Sequence, residues 1–272
     1  MNRLLEEILS YLDHLNGQCG LQVSVHFGKE KLNRMPESVL TALGPYNTHR
    51  NPYCIMVKRN EEEHRKCLRS QQVVLQKCKK CGSFCGVCHA GVYECLYPIY
   101  EDSAVVGYAA VSGYRKKAPP ENMADMEWWR ESLNPEEIPR TLCDTLIPPL
   151  CRMLELLFLC PPNSADADPE YNLIFHYINE HHNRITLSEI CLEFGRSRSY
   201  ISHMFKSRCG VSIRAYCNRL KLEDAKNLLD KTDLPITEIA LDVGFGDVSY
   251  FIQLFRERFS MTPLQYRKRH FS

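Results

Sequence analysis

The sequence has no apolar run long enough to cross a membrane. Its most apolar stretch, 146–160, is interrupted by two prolines, an arginine and a glutamate, whereas a membrane helix needs roughly 18 to 20 apolar residues. Near the start, Glu6 and Glu7 occupy positions where a signal peptide would have its apolar core. These absences predict a cytoplasmic protein that does not have the membrane as a partner.

Sequence patterns typical of enzymes are missing as well. There is no phosphate-binding loop, no dinucleotide-binding glycine pattern and no Ser/His/Asp arrangement. Cys88 and His89 combine a nucleophile with a base, but adjacent residues of a strand point to opposite faces. We therefore expect that the protein is not an enzyme.

A strong charge of either sign is also absent, because 34 basic residues stand against 33 acidic ones and the net charge is +1. The balance is uneven along the chain, since residues 184–269 carry 15 basic and 10 acidic groups. A local excess of positive charge is typical of a surface that binds a polyanion. The near-neutral total therefore does not exclude DNA as a partner.

The chain is predicted to form two domains, because a domain usually has roughly 100 to 200 residues. The clearest change in composition is 160–169, which is rich in proline, aspartate and small residues. We predict a first domain over 1–160, a linker over 161–169 and a second domain over 170–272.

The first domain is predicted to have an α+β fold. Apolar periodicity predicts helices over 4–15, 61–77 and 135–160, and strands over 21–27, 53–57, 91–100 and 105–114. The last of these helices would run into the linker and connect the two domains.

The second domain contains an internal repeat and is predicted to be all-α. Two segments recur at an offset of 49 or 50 residues: 188–195 matches 237–244, and 199–201 matches 249–251. Each copy is predicted to be a helix, a turn and a helix. Gly195 or Gly244 would end the first helix, and Ser197 or Asp247 would cap the second. A longer helix over 212–230 would connect the copies.

This arrangement resembles the DNA-binding domain of the AraC/XylS family, over residues 171–269. The residues that carry the resemblance are Ile236-Thr237-Glu238-Ile239-Ala240, Val243-Gly244-Phe245, Ser249-Tyr250-Phe251, Phe255-Arg256 and Thr262-Pro263-Leu264-Gln265-Tyr266-Arg267. The resemblance implies two helix-turn-helix motifs on one long connecting helix, which reach successive major grooves of double-stranded promoter DNA. It also makes RNA polymerase and a second copy of the chain candidate partners.

The second helix of a helix-turn-helix motif lies in the major groove, with basic side chains on the neighbouring phosphates. Carried over position by position, the residues predicted to contact bases are Ser199, Ser202, His203, Ser249 and Gln253. Those predicted to contact phosphates are Arg198, Lys206, Arg208, Arg256 and Arg258. The sequence departs from the family at His203, Gln253 and Lys221, where arginine is frequent, so the base preference stays open.

Cysteine is abundant, with 14 residues, and in a reducing compartment these are not expected to form disulfides. Four of them have the spacing of two Cys-x-x-Cys pairs: Cys78, Cys81, Cys85 and Cys88. Thiolates in such pairs bind zinc or an iron–sulfur cluster, so these four are a predicted metal site. Only three residues separate the pairs, which is shorter than in zinc ribbons, so a thiol redox switch and an inert role stay open.

Residues 4–115 resemble the PocR sensory domain, a PAS-like module of bacterial regulators. The matching residues are Pro52-Tyr53-Cys54, Cys88-His89-Ala90-Gly91, Tyr97-Pro98-Ile99, Val106-Gly107-Tyr108 and Gly113. The resemblance implies a small hydrocarbon effector such as a diol, with effector-binding residues Cys54, Cys67, Cys88 and His89. A competing metal set is Cys54, Cys67 and Cys88 with one further ligand. The sequence thus predicts an effector-controlled transcriptional regulator, and the alternative is an iron–sulfur, zinc or thiol redox-sensing regulator.

Overall fold

The computed structural model describes residues 3–116, 126–159 and 168–270. The chain forms two units: an N-terminal unit of residues 1–49 and 61–176, and a C-terminal unit of residues 50–60 and 177–272. This division differs from the predicted domains in two respects. Residues 50–60 belong to the C-terminal unit, and the second boundary follows His176. Most of the predicted linker lies outside the described residues.

The N-terminal unit contains an antiparallel sheet with the strand order β1-β4-β3-β2. The strands are β1 (Gln22–Phe27), β2 (Phe84–Val87), β3 (Tyr93–Glu101) and β4 (Ala104–Tyr114). Asp102 and Ser103 join β3 to β4 with φ values of 48° and 68°, the two left-handed residues that a tight hairpin turn requires. The sheet confirms the predicted α+β class of this region, although β2 was not predicted; the PAS-like assignment stays a prediction.

Helices cover both faces of this sheet. The helices of the N-terminal unit are α1 (Arg3–Gly17), α2 (Lys29–Arg34), α3 (Glu37–Leu43), α5 (Glu61–Cys81), α6 (Met126–Ser132) and α7 (Arg140–Leu159), whereas α4 (Pro52–Val57) belongs to the C-terminal unit. Gly44–Tyr46 form a 3-10 helix, and α8 (Pro169–His181) begins in the N-terminal unit and ends in the C-terminal unit. No helix in the described parts of the chain combines the length and the apolar character needed to cross a bilayer.

On one face of the sheet, the rings of Phe27 and Phe158 of α7 lie 5.6 Å apart. On the other face, Leu96 and Tyr108 pack against Cys78 of α5. Because side chains alternate between two covered faces, β4 is buried without interruption over 107–114. This explains why β4 has an apolar run instead of alternating apolar and polar residues.

The C-terminal unit is all-α in its described residues, as predicted. Besides α4 and the end of α8, its helices are α9 (Leu187–Phe194), α10 (Arg198–Cys209), α11 (Ile213–Lys231), α12 (Ile236–Asp242), α13 (Val248–Phe259) and α14 (Pro263–His270). Its core combines α11, α12 and α13 through Leu222, Ala225, Leu228, Leu229, Ile239, Phe251 and Phe255.

The segment 53–57 was predicted as a strand, and this was wrong because it forms α4. The side chain of Asn51 caps this helix, with its Oδ1 accepting from the backbone N–H of Cys54 at 2.6 Å. Pro52 follows at the first helical position, where its missing N–H costs nothing. A five-residue apolar run fits either a strand or a helix, and the Asn-Pro start favours the helix.

Candidate DNA-binding surface

Two pairs of helices correspond to the two predicted copies. The first helix pair is α9 and α10, the second helix pair is α12 and α13, and α11 connects them. In each pair a glycine with left-handed backbone follows the first helix, Gly195 with φ 62° and Gly244 with φ 88°. The second helix begins at a side-chain cap that accepts a backbone N–H, at 3.2 Å for Ser197 and 3.0 Å for Asp247. The turns and caps therefore lie where the repeat predicts them.

The residues of α10 that are predicted to contact DNA are all exposed, and all but Arg208 lie on one face of the helix. Ile201, Met204 and Phe205 are buried on the other side, at the i, i+3, i+4 spacing of an amphipathic helix. The exposed residues are Arg198, Ser199, Ser202, His203, Lys206 and Arg208. α10 contains no acidic residue, so its exposed face is positively charged, although Arg198 already donates to Ser188 Oγ.

The second helix pair exposes Ser249, Gln253, Arg256 and Arg258 on α13. Two of these side chains already have acidic partners. Gln253 Nε2 donates to Glu257 Oε1 at 2.9 Å, and Arg258 Nη2 donates to Glu223 Oε1 at 3.2 Å. A base or phosphate would have to replace these partners, so α13 offers a weaker positive surface than α10.

Sequence reasoning missed a pair of residues at the start of α10. Tyr200 is 43% exposed, and the guanidinium carbon of Arg196 lies 5.5 Å from the centre of its ring. This cation–π pair lies at the end of α10 from which a recognition helix contacts bases. The repeat could have pointed to Tyr200, because it recurs as Tyr250 in the second copy.

The connecting helix α11 holds the turn of the second helix pair. Lys221 Nζ donates to the carbonyl of Gly244 at 2.7 Å, and burial lowers the pKa of this lysine. Asn218 Nδ2 donates to the hydroxyl of Tyr250 at 3.1 Å. Lys221, which departs from the family pattern, therefore contacts the protein's own turn.

The four residues predicted to bind an effector do not all belong to one unit. Cys54 lies on α4 in the C-terminal unit, whereas Cys67, Cys88 and His89 are in the N-terminal unit. There, Cys67 Sγ and His89 Nε2 are 3.8 Å apart, and Glu63 Oε2 lies 3.6 Å from the same nitrogen. Burial lowers the pKa of His89, although Glu63 opposes this shift.

The four cysteines of the predicted metal site are in different surroundings. Cys78 is buried and Cys81 is exposed, and Cys85 forms a disulfide with Cys95, its direct neighbour across β2 and β3. This disulfide corrects the expectation that the cysteines stay reduced. Burial raises the pKa of Cys78 to about 11, which favours a neutral thiol over a metal-binding thiolate. Across the described ranges, no group of three or more His, Cys, Asp or Glu side chains is placed to hold a metal ion. The competing metal set of Cys54, Cys67 and Cys88 therefore gains no support either.

A second feature missed from sequence is the polar cluster, defined as Ser24, His26, His49 and Glu94. All but His49 are at most 6% exposed, and the three lie on β1 and β3. Ser24 Oγ is 3.0 Å from His26 Nε2, and His49 Nδ1 is 3.3 Å from Glu94 Oε1. Burying polar groups costs free energy, so their concentration in an apolar core is typical of a binding site. The only sequence signal was Ser24 and His26 two residues apart in an otherwise apolar strand.

In comparisons with known proteins, the chain is similar to transcriptional regulators. Residues 190–269 match a family model described as a helix-turn-helix domain. The chain is 34% identical over 103 residues to YijO of Escherichia coli K12, an uncharacterized HTH-type transcriptional regulator, covering 38% of this chain and 36% of YijO. It is 25% identical over 248 residues to the regulatory protein PocR of Salmonella typhimurium, covering 80% of this chain and 82% of PocR. The solved C-terminal domain of the response regulator yesN from Fusobacterium nucleatum is 38% identical, covering 37% of this chain and 99% of that chain, with a TM-score of 0.35.

Proposed function

We propose that the protein is an AraC-type, sequence-specific DNA-binding transcriptional regulator controlled by a small-molecule effector, because residues 190–269 match a helix-turn-helix family model. The observation that carries this proposal is the exposed polar and basic face of α10, whose opposite side is core. The two helix pairs would act as two helix-turn-helix motifs that contact successive major grooves.

The distribution of charge indicates how DNA would be bound. The five predicted phosphate contacts correspond to a slope of about −4.5 in log K against log salt. Arg258 would contribute least, since it must first leave Glu223. Specific binding should therefore depend on base contacts at two correctly spaced helices more than on bulk charge.

Control by an effector is supported by the similarity to PocR and by the polar cluster of the N-terminal unit. Two imidazoles, a carboxylate and a hydroxyl close together, all but His49 buried, suit a small polar molecule that both donates and accepts hydrogen bonds. Such an effector regulates only if it binds the DNA-competent and incompetent states with different affinity. A cytoplasmic location, a homodimer and contact with RNA polymerase stay predictions.

The alternative is a regulator that senses an iron–sulfur cluster, zinc or thiol oxidation. Its metal version is less favoured because Cys78 is buried as a thiol and Cys85 is bonded to Cys95. Anaerobic purification followed by visible absorbance and metal analysis tests it. A coloured or metal-loaded protein would support the alternative, and a colourless, metal-free protein that binds DNA would eliminate the metal version.

The proposed function is tested by selecting duplexes from a random DNA pool with the full-length protein, followed by gel-shift titration. We expect Ser202→Ala and His203→Ala to weaken binding to the selected duplex by about 1 to 3 kcal/mol and to relax its sequence preference. Lys206→Ala should weaken all duplexes alike and reduce the salt slope by about 1.

Ser207→Ala, the same residue type further along α10, is the matched control and should bind like the wild type. The proposal fails if the wild type enriches no sequence. It also fails at these positions if Ser202→Ala and His203→Ala bind the selected duplex as Ser207→Ala does.

A further inference from the structure

Residues 50–60 are part of the C-terminal unit, although they are far from its other helices in sequence. Ile55 of α4 is 2% exposed and belongs to the same core as Leu222 of α11 and Ile239 of α12. The segment therefore packs against the connecting helix and the first helix of the second helix pair.

An ion pair joins this segment to the end of α12. Asp242 is the last residue of α12, and its side chain is fully buried. A carboxylate in this position is doubly unfavourable, because the carboxyl end of a helix repels negative charge and burial removes water. Arg59 Nη2 donates to Asp242 Oδ1 and supplies the compensating charge. In the first helix pair the matching residue, Glu193, is exposed and does not have this requirement.

The backbone of Arg59 is held as well. Its carbonyl accepts from Arg184 Nη1 at 2.8 Å, and Arg184 lies between α8 and α9. Asp242 comes directly before Val243 and Gly244, the turn that leads to α13. Arg59 therefore contacts the residue from which the second recognition helix takes its direction.

A second carboxylate repeats this arrangement on α11. Asp224 Oδ2 lies 2.8 Å from His182 Nε2, and Asp224 Oδ1 lies 3.6 Å from Arg50 Nε. Among the described residues of the C-terminal unit, the buried acidic side chains are Asp224 and Asp242. Each of the two has an arginine from residues 50–60 beside it. This pairing of opposite charges indicates that residues 50–60 are part of the native fold of the C-terminal unit.

We propose that Arg59 is a positioning residue for α13: its ion pair with Asp242 fixes the end of α12 and thereby the direction in which α13 leaves the turn. The role of α13 in contacting DNA rests on the proposed function. Both ends of the segment continue directly into the N-terminal unit, at His49 and Glu61. A change in that unit that displaces the Glu61 end, next to Arg59, would therefore act mainly on the second helix pair.

The test uses the full-length wild type, Arg59→Ala, Arg59→Lys and the control Arg65→Ala. Arg65 also forms an ion pair, with Glu61 at 3.6 Å, but this pair is exposed. Amide hydrogen exchange is measured first, because it does not require DNA. We expect Arg59→Ala to increase exchange in α12 and α13 while α9 and α10 stay unchanged, Arg59→Lys to restore part of the protection, and Arg65→Ala to match the wild type.

Hydroxyl-radical footprinting on a duplex enriched by the wild type is the second measurement. Ser202→Ala and Gln253→Ala identify the half-sites contacted by α10 and α13. Arg59→Ala should lose protection at the α13 half-site, keep it at the α10 half-site and bind about 10-fold more weakly, the equivalent of losing about one base contact.

Equal loss of protection in both helix pairs would mean that Arg59 only stabilises the fold, and this would overturn the proposal. Unchanged exchange in Arg59→Ala would overturn it too. If Arg59→Ala does not fold, the same comparison between helix pairs is made with Arg59→Lys. If no duplex is enriched, the proposed function fails, and hydrogen exchange still decides the positioning role.

Discussion

The two helix pairs share their helix order, their left-handed glycines and their side-chain caps, but different parts of the chain hold their turns. In the first helix pair the contacts are local. Thr186 and Glu189 form a reciprocal capping box, with the backbone N–H of Thr186 donating to Glu189 Oε2 at 2.6 Å. Around Gly195 there is open space, with nothing within 4 Å of the place where a Cβ would lie.

In the second helix pair the contacts are distant in sequence. α12 starts after Pro235 without a side-chain cap bond. Its turn is contacted by Lys221 from α11, and its last residue by Arg59 from the segment before α5. The two copies of the repeat are therefore stabilised differently: the first by residues of its own segment, and the second by residues from elsewhere in the C-terminal unit. Perturbation from elsewhere in the chain should reach the second copy more easily than the first.

The largest expected difference between the copies is at their glycines. A Cβ at Gly244 would lie 1.9 Å from the carbonyl oxygen of Asn183, whereas a Cβ at Gly195 would meet no atom. We expect Gly195→Ala to cost about 1 kcal/mol of unfolding free energy for the left-handed backbone. Gly244→Ala should cost about 4 kcal/mol, because overpacking adds to the backbone cost. Urea unfolding measures both, and equal costs would contradict the comparison.

Asp224 should affect both copies, because it lies on the helix that they share. Burial opposes its charged form, but His182 and Arg50 outweigh this and hold its pKa below the ordinary value of 3.8. The Asp224 carboxylate therefore contributes its full stabilisation of the folded protein above the ordinary pKa of 3.8. This contribution is lost as the pH falls through the lower pKa that Asp224 has in the folded state.

We expect Asp224→Asn to lose about 3 kcal/mol at pH 7 and to show a weaker pH dependence in acid. Thermal unfolding between pH 2 and 7 measures this, with the exposed Asp233→Asn as control. Hydrogen exchange should rise in both helix pairs. A rise confined to one pair would show that α11 does not couple them.

The smallest effects are expected at the caps, where the copies agree. Ser197→Ala and Asp247→Ala should each cost about 1 kcal/mol, because each removes one acceptor from the first turn of a helix. Ser197→Gly is the matched control and should cost only a few tenths of a kcal/mol. Chemical denaturation of the three variants measures the costs. A large inequality between Ser197→Ala and Asp247→Ala would show that the copies also differ in local stability.

Features that depend on neighbouring residues were predictable from sequence. Ser197, Asp247 and the two glycines all act within a few residues, and their positions in the structure match the prediction. The hairpin between β3 and β4 was predictable for the same reason. The exposed face of α10 follows from the helical period of its buried residues.

Features that depend on tertiary contact were not predictable. Arg59 and Asp242 are 183 residues apart, and no local pattern relates them. The Cys-x-x-Cys spacing suggested a metal site, but strand register pairs Cys85 with Cys95. Likewise, α4 was taken for a strand because its short apolar run does not specify a period. In each case the decisive partner lies on another element of the chain.

The C-terminal unit is built from two separate stretches of the chain, and this limits how such a regulator can be recombined. A chimera made by one crossover before α8 would receive α8 to α14 but keep the α4 of its host. Foreign side chains would then replace Ile55 in the core and Arg59 beside Asp242. A working exchange of DNA specificity therefore needs two crossovers, or a host whose residues 50–60 already match.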